Sequence, residues 1–117
     1  MTTLYVGGRV FDGEKVLDGH AVFEDGGKVG RIASAAEFVG FAGEKVDTAG
    51  GTLIPGIIDC HVHLTNEWNE TVRARMPQET PEFVTARGLM YARKTLEAGF
   101  TTVRDLGANS PQSVFAI

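Results

Sequence analysis

The residues with the strongest claim to chemistry sit together, at Asp59-Cys60-His61-Val62-His63. They end a run from Thr52 to Leu64 that is nearly continuously apolar around one Pro55-Gly56 break. Such a run suits a strand covered on both faces, as in a parallel sheet. Side chains alternate along a strand, so Asp59, His61 and His63 are expected on one face and Cys60 and Val62 on the other. Two imidazoles two residues apart on a rigid strand can bind one divalent metal, with the carboxylate as a further ligand or as the group that orients a ring. The plain alternative is a pair of unrelated strand histidines. Two polar rings on an apolar strand need partners, which either a metal or a hydrogen-bonded site supplies, and this favours ligation. The Cys60 thiol, on the opposite face, is expected to pack beneath a helix.

Other candidates are less sharp. Arg104 and Asp105 end a second β-branched run, Phe100 to Arg104, at the same end of the sheet as His63. Asp105 could support the histidines from behind, or the two residues could form an exposed ion pair or a turn cap. Glu67, Trp68, Arg73 and Arg75 fall in a polar and aromatic stretch, Thr65 to Gln78, read as a loop with one short helix. A solvated lid surface is the favoured reading of Glu67, Arg73 and Arg75, with Trp68 as a lid anchor or a substrate-stacking ring, although loops after barrel strands bind substrates and an arginine there could meet a substrate carboxylate. His20, at the edge of a β-run, reads as a surface residue. No glycine-rich segment has Walker or dinucleotide-binding spacing, and there is no Gly-x-Ser-x-Gly elbow.

The elements that must position these residues follow from punctuation and period. From Thr3 to Thr52, short apolar runs alternate with turn signals, the pattern of a small all-β region. Leu4, Val6, Val10 and Phe11 form one run. Ala21 to Phe23 and Lys28 to Ile32 read as a hairpin about Gly26-Gly27, and Ser34 to Phe38 as one helical turn capped by Ser34. Further on, Thr80 is placed as an N-cap before Pro81, and Phe83, Ala86, Leu89, Met90 and Leu96 recur at helical spacing up to Gly99. The spacing predicts a helix over 81–98. Strand, helix and strand in that order make a βαβ unit with parallel strands, and Ser113 to Ile117 reads as the start of another helix.

Composition excludes other classes. With 11 Lys and Arg against 15 Asp and Glu in 117 residues, the net charge is −4, which leaves no basic footprint for nucleic acid or an anionic membrane surface. One cysteine permits no intrachain disulfide and makes a reducing cytoplasm the default compartment. No stretch approaches the roughly 18 apolar residues of a membrane span. Fifteen glycines imply many turns for so short a chain.

Two stretches carry a resemblance to a known family. Leu53-Ile54-Pro55-Gly56-Ile57-Ile58-Asp59-Cys60-His61-Val62-His63, and Ala98-Gly99-Phe100-Thr101-Thr102-Val103-Arg104-Asp105-Leu106-Gly107 after a helix, resemble the opening of the metal-dependent amidohydrolase superfamily. Within it, the imidazolonepropionase-like and Xaa-Pro dipeptidase-like members are most similar. The resemblance implies an α/β fold: a TIM-type (β/α)8 barrel, with residues 53–117 as its first β-α-β segment, preceded by a small β-sandwich-like domain that includes residues 1–52. It implies one or two divalent metals, usually zinc, with His61 and His63 at the first-strand ligand positions and Asp59 two residues before them. The remaining ligands and the general base would come from later strands, outside this segment.

The activity so implied is hydrolysis of an amide or related C–N bond, in a dipeptide, an N-acyl amino acid or a cyclic amide, by metal-activated water. The expected partners are a small-molecule amide substrate, and a second copy or the remaining segment of the same protein. A TIM-type barrel needs about 250 residues, so the chain is expected to be an N-terminal segment, inactive alone. Two alternatives stand beside this: a short, non-catalytic binding or assembly module, and one chain of a split amidohydrolase.

Overall fold

Glycines with positive φ divide the first half of the chain, and the strands lie between them. In the computed structural model, which describes residues 1–66, 69–108 and 110–117, Gly7 (φ +83) splits the first apolar run. Two strands result, β1 (Thr2–Val6) and β2 (Arg9–Phe11), where the sequence suggests one. A Cβ on Gly8 would stand 2.2 Å from the Gly51 carbonyl oxygen, so only glycine lets the Arg9 N–H reach that carbonyl at 2.9 Å. β3 (Val16–Leu17) pairs with β2. β4 (His20–Asp25) and β5 (Lys28–Ser34) form the expected hairpin about Gly26-Gly27. A 3-10 turn at Ala35–Phe38 takes the place of the expected helical turn, and the Ser34 side chain does not cap it. β6 (Glu44–Asp47) and β7 (Thr52–Leu53) complete two sheets, ordered β5-β4-β1-β6 and β3-β2-β7. Leu4, Val10, Ala21, Val22 and Ala33, drawn from both sheets, are buried as the core. This first unit is Met1–Pro55.

The second unit, Gly56–Ile117, contains β8 (Ile57–Val62), α1 (Glu70–Arg75), a 3-10 turn at Met76–Gln78, α2 (Pro81–Glu97), β9 (Phe100–Asp105) and α3 (Pro111–Phe115). β8 and β9 pair in parallel, and the long connection between them carries α2, as a parallel crossover requires. The α2 ends follow the sequence signals. Thr80 Oγ1 accepts the Phe83 N–H at 3.4 Å, Pro81 opens the helix, and Gly99 at φ +96 turns the chain into β9.

The buried face of α2 is not the apolar stripe. Val84, Arg87 and Gly88 are buried, while Phe83, Leu89, Met90 and Leu96 are exposed. The side that packs is the one meeting Thr65 and α3: Ser113 Oγ donates to the Pro81 carbonyl at 3.0 Å, and a Cβ on Gly88 would lie 3.2 Å from Thr65 Cγ2. β8 likewise departs from a strand covered on both faces. It has one neighbouring strand among the described residues, so Ile57 and Ile58 are exposed. Cys60 is exposed as well, not packed beneath a helix. The chain is thus mixed α/β, and no described helix is long and apolar enough to cross a membrane.

Candidate metal centre

Regular alternation stops at the end of β8. Asp59 pairs with Val103 and Val62 with Asp105, three steps on β8 against two on β9, so β8 holds an extra residue. In this bulge the Asp59 carboxylate turns back and accepts the main-chain N–H of His61 at 2.9 Å. Period-two reasoning therefore does not carry from Asp59 through Val62, yet the two imidazoles still meet. Their ring centroids lie 5.4 Å apart with planes at 72°. His61 is exposed, whereas Asp59 and His63 are half-buried.

The His63 ring is set from the far end of β9. Its Nδ1 lies 2.8 Å from the Gly107 carbonyl oxygen. A carbonyl only accepts, so Nδ1 carries a proton, and in the neutral ring the lone pair then lies on Nε2. This is the tautomer that ligates through Nε2, and a carbonyl is one of the outer partners that metal-bound histidines use. Gly107 is itself held, because its N–H donates to Asp105 Oδ1 at 2.8 Å. The other oxygen, Oδ2, accepts the Leu64 N–H at 2.8 Å. Asp105 thus ties the turn after β9 to the residue that follows His63, and Arg104 adds a bond from Nε to the Cys60 carbonyl at 3.0 Å. Both residues act as cross-links to the β8 end of the unit.

Past His63 the chain turns, with the Asn66 N–H donating to the His63 carbonyl at 3.1 Å. Thr65 is fully buried in this turn. Its carbonyl accepts from Arg87 Nε at 3.2 Å and Nη2 at 2.9 Å, while Arg87 Nη1 pairs with Glu79 Oε1 at 2.7 Å. Sequence reasoning missed Arg87 and Glu79. The available signal was positional: Arg87 shares a helix face with Val84 and Gly88, and a cation on an inward face needs a partner.

Asp59 and His63 border a cleft of about 450 Å³ that is also lined by Tyr91 and Lys94 of α2. Arg73 and Arg75 are exposed on α1. Glu67 and Trp68, proposed as parts of a lid, lie outside the described residues. His20 belongs to the first unit, half-buried, with Nδ1 2.8 Å from the Asp18 carbonyl oxygen. Two imidazoles, one with its donor nitrogen already set, fit half of a four-coordinate zinc site. Among the described residues no group of three or more His, Cys, Asp or Glu is arranged to hold an ion, so the two imidazoles by themselves fall short of a full ligand set.

Over 78 residues the chain is 37% identical to a dihydroorotase of Syntrophus aciditrophicus, a match covering 63% of the chain and 18% of that protein. Over 50 residues it is 42% identical to an imidazolonepropionase of Hahella chejuensis, covering 42% and 12%. The crystal structure of a Xaa-Pro dipeptidase with methionine bound in its active site superposes with a TM-score of 0.79 at 27% identity, over 92% of the chain and 27% of the dipeptidase. The chain therefore spans less than a third of each of these proteins. The model of the amidohydrolase family matches residues 52–117, more than half of the chain and all of the β8-to-α3 unit with both histidines, and the chain belongs to the amidohydrolase family.

Proposed function

We propose that this chain is the N-terminal segment of a metal-dependent hydrolase that cleaves an amide or related C–N bond in a small molecule. The substrate class is a dipeptide, an N-acyl amino acid or a cyclic amide. In this reading residues 53–117 open a (β/α)8 barrel and residues 1–52 belong to a small β-sandwich domain. His61 and His63 hold one divalent ion, zinc by ligand type, and a second ion would draw its ligands from elsewhere. The carrying observation is the His63 ring, whose Nδ1–H is bound to the Gly107 carbonyl at 2.8 Å and whose Nε2 therefore bears the lone pair. A divalent ion held there would supply Lewis-acid polarisation of a carbonyl and would lower the pKa of water to about 7.

The residues of this chain contribute placement. Asp59 holds the bulge at His61, and Asp105 holds both the turn after His63 and the glycine that orients its ring. The cleft bordered by Asp59, His63, Tyr91 and Lys94 offers a cation and a phenol beside His63. The general base is expected outside these residues. The test is to express the complete reading frame and measure bound metal and hydrolysis of dipeptides, N-acyl amino acids and cyclic amides, then repeat with His61→Ala and His63→Ala. Metal and activity should fall in both variants. Wild-type metal content and turnover in both would overturn the proposal.

A further inference from the structure

We propose that Arg87, held by Glu79, is a positioning residue for the candidate metal pair, acting on His63 through the main-chain carbonyl of Thr65. The inference rests on reading His61 and His63 as metal ligands. Thr65 lies two residues beyond His63, in a turn closed by the Asn66 N–H on the His63 carbonyl. Its carbonyl takes two donors from one guanidinium, Nε at 3.2 Å and Nη2 at 2.9 Å. The third nitrogen, Nη1, is spent on Glu79 Oε1 at 2.7 Å, with the two side chains only 7% and 8% exposed.

A forked donor fixed on both sides in a dry setting gives a geometry that a point charge cannot copy. The seat is also shaped sterically. Gly88, next to Arg87, leaves room that Ile117 chiefly fills and Thr65 borders, since a Cβ there would collide with Ile117 Cδ1 and stand 3.2 Å from Thr65 Cγ2. The turn is consequently pinned from two directions. Asp105 holds the Leu64 N–H from β9, and Arg87 holds the Thr65 carbonyl from α2. Between them, the backbone that leaves His63 is fixed, and with it the direction in which Nε2 points. Arg87, Glu79 and Thr65 do not line the cleft bordered by Asp59 and His63, which separates positioning from catalysis.

The experiment compares two variants of the protein expressed from its complete reading frame. Arg87→Lys keeps the charge and loses the fork. The double variant Arg87→Met with Glu79→Leu removes the grip without stranding a buried charge, an exchange that commonly preserves stability. Three quantities are read: zinc affinity by chelator competition, the visible spectrum of the cobalt-loaded protein, and the nitrogen-15 shifts of the His63 ring without metal. The expected result is a loss of roughly 10- to 100-fold in zinc affinity, an altered cobalt spectrum, and His63 shifts moving toward a mixture of tautomers, with the melting temperature of the double variant near that of the wild type. A double variant that melts like the wild type and keeps its zinc affinity, cobalt spectrum and His63 shifts would overturn the inference. His63→Ala serves as the separate control. Undiminished zinc binding in that variant refutes the ligand reading itself, while the metal-free shifts still decide whether Arg87 holds the ring.

Discussion

Asparagine at position 105 perturbs the candidate centre with the least change in shape. The native carboxylate accepts two N–H groups at 2.8 Å, Leu64 on Oδ2 and Gly107 on Oδ1. Asparagine has one acceptor oxygen, so one bond is lost and an NH2 group faces the abandoned donor. A hydrogen bond to a charged acceptor contributes about 1.5–3 kcal/mol, and an unsatisfied buried donor costs a similar amount. Gly107 is exposed and Leu64 half-buried, so the amide will orient its oxygen toward Leu64 and leave Gly107 to water. Weakening one bond and losing the exposed one should then cost about 2 kcal/mol. If that energy appears as disorder of the His63 turn that ligand binding must reverse, it corresponds to about 30-fold weaker binding. The assay is zinc competition against a chromogenic chelator, with the Asp105→Asn and wild-type proteins at the same pH. An affinity within about twofold of wild type, far short of the roughly tenfold minimum usual for outer partners of metal ligands, would refute the claim that Asp105 positions the histidine.

Three further outcomes are expected. His63→Ala should cost more zinc affinity than His61→Ala, because the His63 donor nitrogen is preset by Gly107 while His61 is exposed with Asp59 bound only to its main-chain N–H among the bonds described; equal losses in chelator competition would contradict this. Gly8→Ala should destabilise the first unit by about 2 kcal/mol through overpacking, since its Cβ would meet the Gly51 carbonyl oxygen at 2.2 Å and Thr48 Oγ1 at 2.3 Å; an unchanged urea midpoint argues otherwise. Asp12 titrates below the ordinary aspartate range because the Lys15 and Glu14 N–H groups bond its ionised carboxylate. The support it gives the turn between β2 and β3 is therefore complete above the ordinary range and is lost as pH falls through the lowered value; a carbon-13 titration of Asp12 at or above the ordinary value would refute it.

What the sequence made legible was local. Asp-Gly and Gly-Gly pairs, the Thr80-Pro81 helix start and the Gly99 stop each depend on a few neighbouring residues, and the corresponding elements stand where those signals put them. The histidine pair was legible for the same reason, its donors being two residues apart. The misses are of another kind. The apolar stripe of α2 describes which residues would gain by burial, but Val84, Arg87 and Gly88 face the partner the chain provides, the Thr65 turn and α3. The bulge in β8 coincides with the Asp59 carboxylate accepting a main-chain donor, and a period-two pattern has no means of registering an extra residue. Cys60 lies within that stretch and is exposed.

The division between donors and their supports explains why a βαβ unit suits such a site. The two imidazoles come from one strand end, so the motif supplies them in any extended conformation. Orientation comes from residues far along the chain: Gly107 is 44 positions from His63, Asp105 is 41 from Leu64, and Arg87 is 22 from Thr65. Only after β9 has paired with β8 and α2 has covered the turn do these contacts exist together. The His63 tautomer is thus a product of tertiary structure, and an unfolded segment with the same His-x-His sequence would sample both ring nitrogens. A preset donor lowers the entropy lost when a ligand set closes on an ion, which is the advantage a rigid parallel strand end has over a loop carrying the same two residues.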